Sequence, residues 1–137
     1  MNNDSSDLSL NEPDAETDHL ARSVIGAAIE VHRKLGAGLD EALYGAALRV
    51  EFRLRNIPYA SEVTINVTYK GEHIGNKRLD FVVGNKLVVE LKAVEQLTGL
   101  HKAQVNTYLK ITGYKIGLLI NFNSVVLKDG IRRIIRS

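Results

Sequence analysis

The chain has 137 residues, 45% of them hydrophobic, which suits one compact domain with a single core. Zero cysteines exclude disulfide bonds and thiolate metal sites, and no apolar run reaches the length of a membrane span, so we expect a soluble, cytoplasmic protein. The formal net charge of +2 is uneven, because residues 1–18 carry six acidic residues and no Lys or Arg, which leaves +8 for residues 19–137. A domain this basic favours polyanionic partners, although a solvated lysine-rich surface explains the charge equally well.

The N-terminal part of the chain divides into a polar segment and two predicted helices. Residues 1–18 contain few large apolar side chains and are predicted to form an acidic, flexible tail before a single domain at residues 19–137. Apolar residues at three-to-four spacing predict a helix over residues 20–35, which the following glycines end. A second helix is predicted over residues 40–55, with Asp40 as its N-cap.

A sheet is predicted after the two helices. Apolar and polar side chains alternate over residues 61–69, as in a half-buried strand. Two further strands, over residues 74–83 and 86–94, are joined through Gly84 and Asn85, a short hairpin connection that predicts a three-stranded antiparallel meander.

The C-terminal third is predicted to add a helix and a buried strand. The helix begins at residue 97 or 98 and runs to residue 111, a buried strand covers residues 116–122, and a short element covers residues 131–135. The predicted order is therefore α-α-β-β-β-α-β with a small C-terminal piece, which is an α/β fold.

Acidic side chains interrupt two of the predicted strands. Because side chains alternate across a strand, Glu90 and Lys92 project from one face and Leu91 from the other. Asp80 lies on the preceding strand, about 4.8 Å away, so the two carboxylates can share one divalent cation. Mg²⁺ prefers oxygen ligands and keeps several waters, so two carboxylates and substrate phosphate oxygens suffice. Lys92 would then stabilise the charge that develops on the phosphate.

A simpler interpretation of the same residues is a solvated surface. A Glu-x-Lys sequence is common by chance, and a face of Glu and Lys on an edge hairpin is ordinarily exposed. The surrounding segment, LVVELKAV at residues 87–94, is otherwise apolar, and charged residues within such a strand require a partner. Metal or phosphate binding supplies that partner.

Several of these features together resemble a known family. Asp80, the ELK sequence at residues 90–92 and the pair Gln104 and Tyr108 on the next helix resemble the PD-(D/E)XK nuclease superfamily, and the last pair resembles its RecB-like branch. Residues 38–44 (GLDEALY) resemble the signature of the GxxExxY protein family. The similarity covers about residues 20–136. It implies a restriction-endonuclease-like α-β-β-β-α-β core with an extra N-terminal helix.

The resemblance also implies roles for individual residues. Asp80 and Glu90 would be the metal ligands, with the backbone carbonyl of Leu91 completing the sphere, and Lys92 would be the catalytic lysine. Glu41 would be the catalytic acidic residue that the first core helix contributes, and a further candidate for the metal.

The resemblance further implies residues that contact the substrate. Gln104 and Tyr108 lie four residues apart on one helical face and would contact substrate phosphate. The sequence departs from the family pattern where Arg78 and Leu79 replace a proline before Asp80, which makes Arg78 a candidate phosphate contact. Glu30 is either a further acidic metal ligand or a helix-surface partner of Lys34.

The resulting functional prediction is a Mg²⁺- or Mn²⁺-dependent deoxyribonuclease. We expect an exonuclease that acts on single-stranded DNA or DNA ends, without any membrane partner. We also expect a homo-oligomer that uses the first helix and the isoleucines Ile131, Ile134 and Ile135. The alternative is a catalytically silent nucleic-acid-binding or structural oligomer that retains the nuclease fold, with Lys92 and the carboxylates as an ion-pair network.

Overall fold

The computed structural model describes residues 14–137, which form a five-stranded sheet with helices on both faces. The elements are α1 (Ala15–Leu35), α2 (Glu41–Leu54), β1 (Tyr59–Tyr69), β2 (Glu72–Val83), β3 (Leu87–Lys92), α3 (Gly99–Thr112), β4 (Ile116–Asn121), a short 3₁₀ helix (Leu127–Gly130) and β5 (Ile131–Ile135). The strand order is β1-β2-β3-β4-β5. Only β3 and β4 run parallel, with α3 as their crossover, and the other three pairs are antiparallel. The predicted α/β fold with its extra N-terminal helix is confirmed.

The first helix begins earlier than the predicted start at residue 20, at Ala15. The Asp14 side chain caps it by accepting a hydrogen bond from the Thr17 N–H, at 2.7 Å, and acidic residues near a helix N-terminus are favoured by the helix dipole. Residues 15–18 of the predicted tail are therefore helical. The part of that tail at residues 1–13 lies outside the described residues. The division into a tail and a domain stays a prediction.

Acidic residues at this helix start pair with basic residues of the same chain. Lys86 Nζ lies 3.0 Å from Asp14 and 3.1 Å from Glu16, and Arg133 Nη1 lies 3.0 Å from Asp18. These ion pairs lower the pKa of Asp18, chiefly through the hydrogen bond from Arg133. The acidic residues at the start of the described chain are thus paired with basic residues of the same subunit.

Two apolar clusters pack on opposite faces of the sheet. The larger one joins α1 and α2 to one face, where Tyr44 stacks on Phe122 with ring centroids 4.6 Å apart. The smaller one joins α3 to the other face through Val105 and Leu109. Within residues 14–137, no helix has the length and apolar character needed to cross a membrane.

Gly117 on β4 allows α3 to approach the sheet closely. A Cβ at this position would lie 2.9 Å from Val105 Cγ1 and 3.4 Å from the Val88 carbonyl oxygen, and neither atom can move freely. We therefore expect Gly117→Ala to lower the free energy of unfolding by about 1–3 kcal/mol. Urea denaturation measures it, with Gly99→Ala as the control, because a Cβ at Gly99 has no atom of the described residues within 4 Å. Equal midpoints for the two variants would contradict the tight contact.

Candidate active site

The Asp80 and Glu90 carboxylates lie where β2 and β3 separate. The antiparallel ladder ends at the pair Phe81 and Val89, so Asp80 and Glu90 are the next residues opposite each other. Beyond this point side chains replace the ladder: the Asp80 N–H donates to Glu90 Oε2 at 2.7 Å, and the Leu91 N–H donates to Asp80 Oδ2 at 2.7 Å. Each carboxylate therefore contacts the backbone beside the other, and each retains a second oxygen.

An irregularity in β1 accompanies this separation. Glu62, the residue of β1 opposite Asp80, has a φ of 53° and interrupts the pairing between Ser61–Phe81 and Val63–Leu79. Leu79 and Phe81, two residues apart, consequently pack in opposite apolar clusters, whereas a regular strand would place them on one face. Positive φ costs energy in a residue with a Cβ and is concentrated at functional sites. The strands are thus distorted where the carboxylates lie.

Lys92 lies on the α3 side of the sheet, as the strand alternation of Glu90 and Lys92 predicts. Its Nζ donates a hydrogen bond to Gln104 Oε1 on α3, at 3.1 Å, while Leu91 packs in the cluster on the opposite face. Tyr108, one turn beyond Gln104, is buried. The helix that carries the predicted substrate contacts therefore covers one side of the carboxylate pair.

Helix α2 covers the other side. Asp40 caps this helix by accepting from the Leu43 N–H at 3.0 Å, which places Glu41 in its first turn at the mouth of the site. A cleft of about 540 Å³ separates α2 from the β1–β2 hairpin, and Glu41, Arg49, Glu62, Arg78 and Asp80 all line it.

Burial, reinforced by neighbouring carboxylates, raises the pKa of the acidic groups at the site. Burial, followed by the charge of Asp80, raises the pKa of Glu90 to about 8. Burial also raises the pKa of Asp80, against the Leu91 N–H and the Lys92 charge, which lower it. Partial burial and the Asp80 charge raise the pKa of Glu41, and burial and the two site carboxylates raise the pKa of Tyr108. Four acidic groups thus share one poorly solvated region, so a cation there is strongly favoured.

The donor atoms present fit a hard divalent cation. Asp80 and Glu90 make no ion pair with any Lys or Arg of residues 14–137, so their buried charge is uncompensated at contact distance. In the same part of the chain, no three His, Asp or Glu side chains are grouped as a complete metal cluster. Mg²⁺ and Mn²⁺ sites with two carboxylates, waters and substrate oxygens need no such cluster.

The other predicted site residues are placed differently. Glu30 lies on α1 and pairs with Arg33, whose Nη2 is 2.7 Å away, so it is held on its own helix and not brought to Asp80 and Glu90. The expected partner of Glu30 was Lys34, at the (i, i+4) position. Arg33, at the (i, i+3) position, lies on the same helical face and pairs with Glu30 instead. Arg78 is in the cleft, but its Nη1 pairs with Glu62 at 2.8 Å.

Two cleft residues, Arg49 and Glu62, are absent from the sequence prediction. Arg49 could have been found from its spacing, since Glu41, Gly45 and Arg49 recur every four residues along α2 and so share one helical face. No local pattern indicates the positive φ of Glu62, because the alternation of residues 61–69 is unbroken in the sequence.

Comparison with known proteins is consistent with this geometry. Residues 18–134 match the family model of the PD-(D/E)XK nuclease superfamily. The crystal structure of SSO0001 is similar, with a TM-score of 0.51 and 20% sequence identity over 69% of this chain and 49% of that one. This chain thus spans about half the length of SSO0001, and at this identity the likeness shows the fold alone. No curated protein sequence matches.

Proposed function

Because this chain belongs to the PD-(D/E)XK nuclease superfamily, we propose that it is a divalent-metal-dependent deoxyribonuclease that hydrolyses phosphodiester bonds. The observation that carries the proposal is the pair of carboxylates, buried Glu90 and half-buried Asp80, at the point where two strands separate, with Lys92 on the same strand face as Glu90. Within the superfamily we place the chain with the GxxExxY proteins and the RecB-like branch, on residues 38–44 and on the pair Gln104 and Tyr108.

Asp80, Glu90 and the backbone carbonyl of Leu91 would hold Mg²⁺ or Mn²⁺, with Glu41 as a further acidic ligand. A bound dication supplies positive charge that favours deprotonation of an attacking water and stabilises the negative charge on the phosphate. The strand separation leaves one oxygen of each carboxylate outside the hydrogen bonds between the strands. Those oxygens are the ones we assign to the metal.

Lys92 stabilises the charge that develops on the scissile phosphate. Its ammonium group is held by Gln104, a neutral acceptor, so its positive charge is not neutralised by that contact. Tyr108 is buried. Its hydroxyl would donate a hydrogen bond to a substrate oxygen. Arg78 would contact a phosphate after exchanging its exposed partner Glu62 for the substrate.

Substrate access supports narrower proposals about the substrate and the assembly. We assign single-stranded DNA or DNA ends as the substrate and an exonuclease mode, because α2 and α3 enclose the carboxylates from two sides.

We also propose a homo-oligomer through α1 and β5. Ile29 of α1 is 39% exposed and Ile135 of β5 is 42% exposed, and β5 is an edge strand of the sheet.

One observation favours a second candidate, a silent nucleic-acid-binding module. The site is already bridged by hydrogen bonds that need no metal: the Asp80 and Leu91 N–H groups donate to the carboxylates, and Lys92 donates to Gln104. Such a network could serve structure alone.

A cleavage assay separates the two candidates. We expect the full chain to cut linear single-stranded DNA with Mg²⁺ or Mn²⁺ and not with EDTA, and to cut circular DNA more slowly. Lys92→Ala should lower the rate about 100-fold, as expected for the loss of one preorganised charge. Lys102→Ala is the matched control, because it removes the same charge at an exposed position of α3. Cutting in EDTA, or equal rates for the two variants, would refute the mechanism, and binding without cutting would favour the silent module.

A further inference from the structure

The wall that α2 contributes to the cleft contains an arginine, Arg49, with no partner among residues 14–137. Arg49 is half-buried and makes no ion pair or side-chain hydrogen bond with any other residue of the described chain. The neighbouring arginines of this region are engaged: Arg53 donates to the Tyr59 hydroxyl at 3.2 Å, and Arg55 pairs with Glu51 at 2.7 Å. A partly desolvated guanidinium without a partner is costly, and it is typical of a site that is completed by a ligand.

The guanidinium of Arg49 lies beside Gly45. A Cβ built on Gly45 would lie 4.0 Å from Arg49 Nη1 and 3.7 Å from Leu91 Cδ1. The Arg49 side chain therefore extends back along α2 towards Glu41, as side chains on helices do. Its charged end lies beside Gly45, one helical turn, or about 5.4 Å, from the level of Glu41.

This spacing separates Arg49 from the reacting phosphate. One turn along α2 is comparable to the spacing of successive phosphates along a single strand, so a phosphate held at Arg49 can be the neighbour of one held at the level of Glu41, at the mouth of the site. The planar fork of arginine matches two oxygens of one phosphate. Arg78, on the opposite wall, already pairs with Glu62.

We propose that the cleft between α2 and the β1–β2 hairpin binds one strand of nucleic acid, with Arg49 holding the phosphate next to the scissile one. This inference rests on the proposed nuclease function and adds a residue that determines substrate binding. The cleft volume of about 540 Å³ is that of a small-ligand site. That volume is sufficient for a nucleotide or two of a single strand.

The test is binding of a fluorescently labelled single-stranded DNA oligonucleotide, measured by anisotropy in an Asp80→Asn background with Mg²⁺, where cleavage is suppressed. Adding Arg49→Ala should weaken binding about 10- to 100-fold, the loss of a charge-assisted hydrogen bond to phosphate. Adding Arg53→Ala removes the same charge from the same helix outside the cleft and should change binding less than twofold. Arg49→Lys, which retains the charge, should lie between them, and circular dichroism checks that each variant is folded.

Neutral methylphosphonate linkages, introduced one at a time, locate the phosphate. At one position, the neutral linkage should weaken binding of the oligonucleotide to the protein that retains Arg49. The same linkage should not weaken binding to the Arg49→Ala variant any further, because both changes remove the same contact. Additive losses at every position, or equal affinities of the Arg49→Ala and Arg53→Ala variants, would overturn the proposal. A duplex whose binding depends on Arg49 as strongly would overturn the single-strand assignment.

The cleavage assay of the unmodified chain distinguishes the two failures. If the chain cuts DNA and Arg49 does not affect binding, the cleft proposal fails and the nuclease proposal stands. If no metal supports cutting and Arg49 still couples to one phosphate, the cleft proposal stands and the nuclease proposal fails.

Discussion

Asp80→Asn is expected to lower the cleavage rate about a thousandfold at saturating Mg²⁺, because a metal ligand contributes several kcal/mol of transition-state stabilisation. Asparagine has nearly the same shape and can still accept the hydrogen bond from the Leu91 N–H, so the strand separation should persist. The substitution therefore removes charge and leaves geometry in place. Single-turnover cleavage of a labelled oligonucleotide measures the effect independently of product release.

The matched control for this variant is Asp129→Asn, which makes the same chemical change on the exposed 3₁₀ helix outside the cleft. It should cleave at the rate of the unmodified chain. Raising the Mg²⁺ concentration should restore part of the activity of Asp80→Asn, since a weakened site fills at higher metal concentration. A rate within tenfold of the unmodified chain at every metal concentration would exclude Asp80 as a ligand.

The strand alternation was sufficient to predict one half of this site. Charged residues at 90 and 92 within an apolar segment indicated their common face, and the position of Asp80 on the neighbouring strand followed from a hairpin through Gly84 and Asn85. Both predictions rest on local properties of the sequence: the two-residue alternation of side chains along a strand and the residue types of the turn. The observed ladder pairs Val83 with Leu87 and Phe81 with Val89, so the connection spans residues 84–86 and is one residue longer than the predicted hairpin.

The other half depends on tertiary geometry that no local pattern records. The positive φ of Glu62 reverses the faces of β1 and β2, yet residues 61–69 alternate without interruption in the sequence. At the start of α1, Asp14 and Asp18 pair with Lys86 and Arg133, which are distant from them in the chain. The access of Arg49 to the cleft likewise depends on how α2 packs over Leu91. Such long-range contacts cannot be read from periodicity.

Glu90→Gln is expected to stabilise the metal-free protein at pH 8 while abolishing cleavage. Burial raises the pKa of Glu90 from 4.5 to about 8, so the folded state binds a proton that the unfolded state has released between these values. The stability contributed by this proton is complete below pH 4.5 and is lost as the pH rises through 8. By linkage the loss amounts to as much as about 5 kcal/mol. Glutamine resembles the protonated carboxyl and should avoid it.

Thermal unfolding in EDTA, from pH 5 to pH 8.5, measures this difference. The melting temperature of the unmodified chain should fall relative to that of Glu90→Gln as the pH rises, and the two should converge near pH 5. Glu95→Gln, at an exposed position after β3, should parallel the unmodified chain throughout. Asp14 and Asp18 do not interfere, because hydrogen bonds, from Thr17 to Asp14 and from Arg133 to Asp18, lower their pKa values and keep both carboxylates charged over this range. Parallel profiles for all three proteins would show that Glu90 carries no buried charge.

Mg²⁺ should reverse the order of stability. A cation compensates the ionised Glu90 and Asp80, so metal binding should raise the melting temperature of the unmodified chain most strongly near pH 8, where fewer protons compete for the carboxylates. Glu90→Gln has lost one anionic ligand and should gain little from the metal. Without the cation, the unmodified chain would then be less stable than its neutral Glu90→Gln variant. A charge that is retained at such a cost to stability is expected of a site selected for chemistry rather than packing. Equal stabilisation of both proteins by Mg²⁺ would place the metal elsewhere.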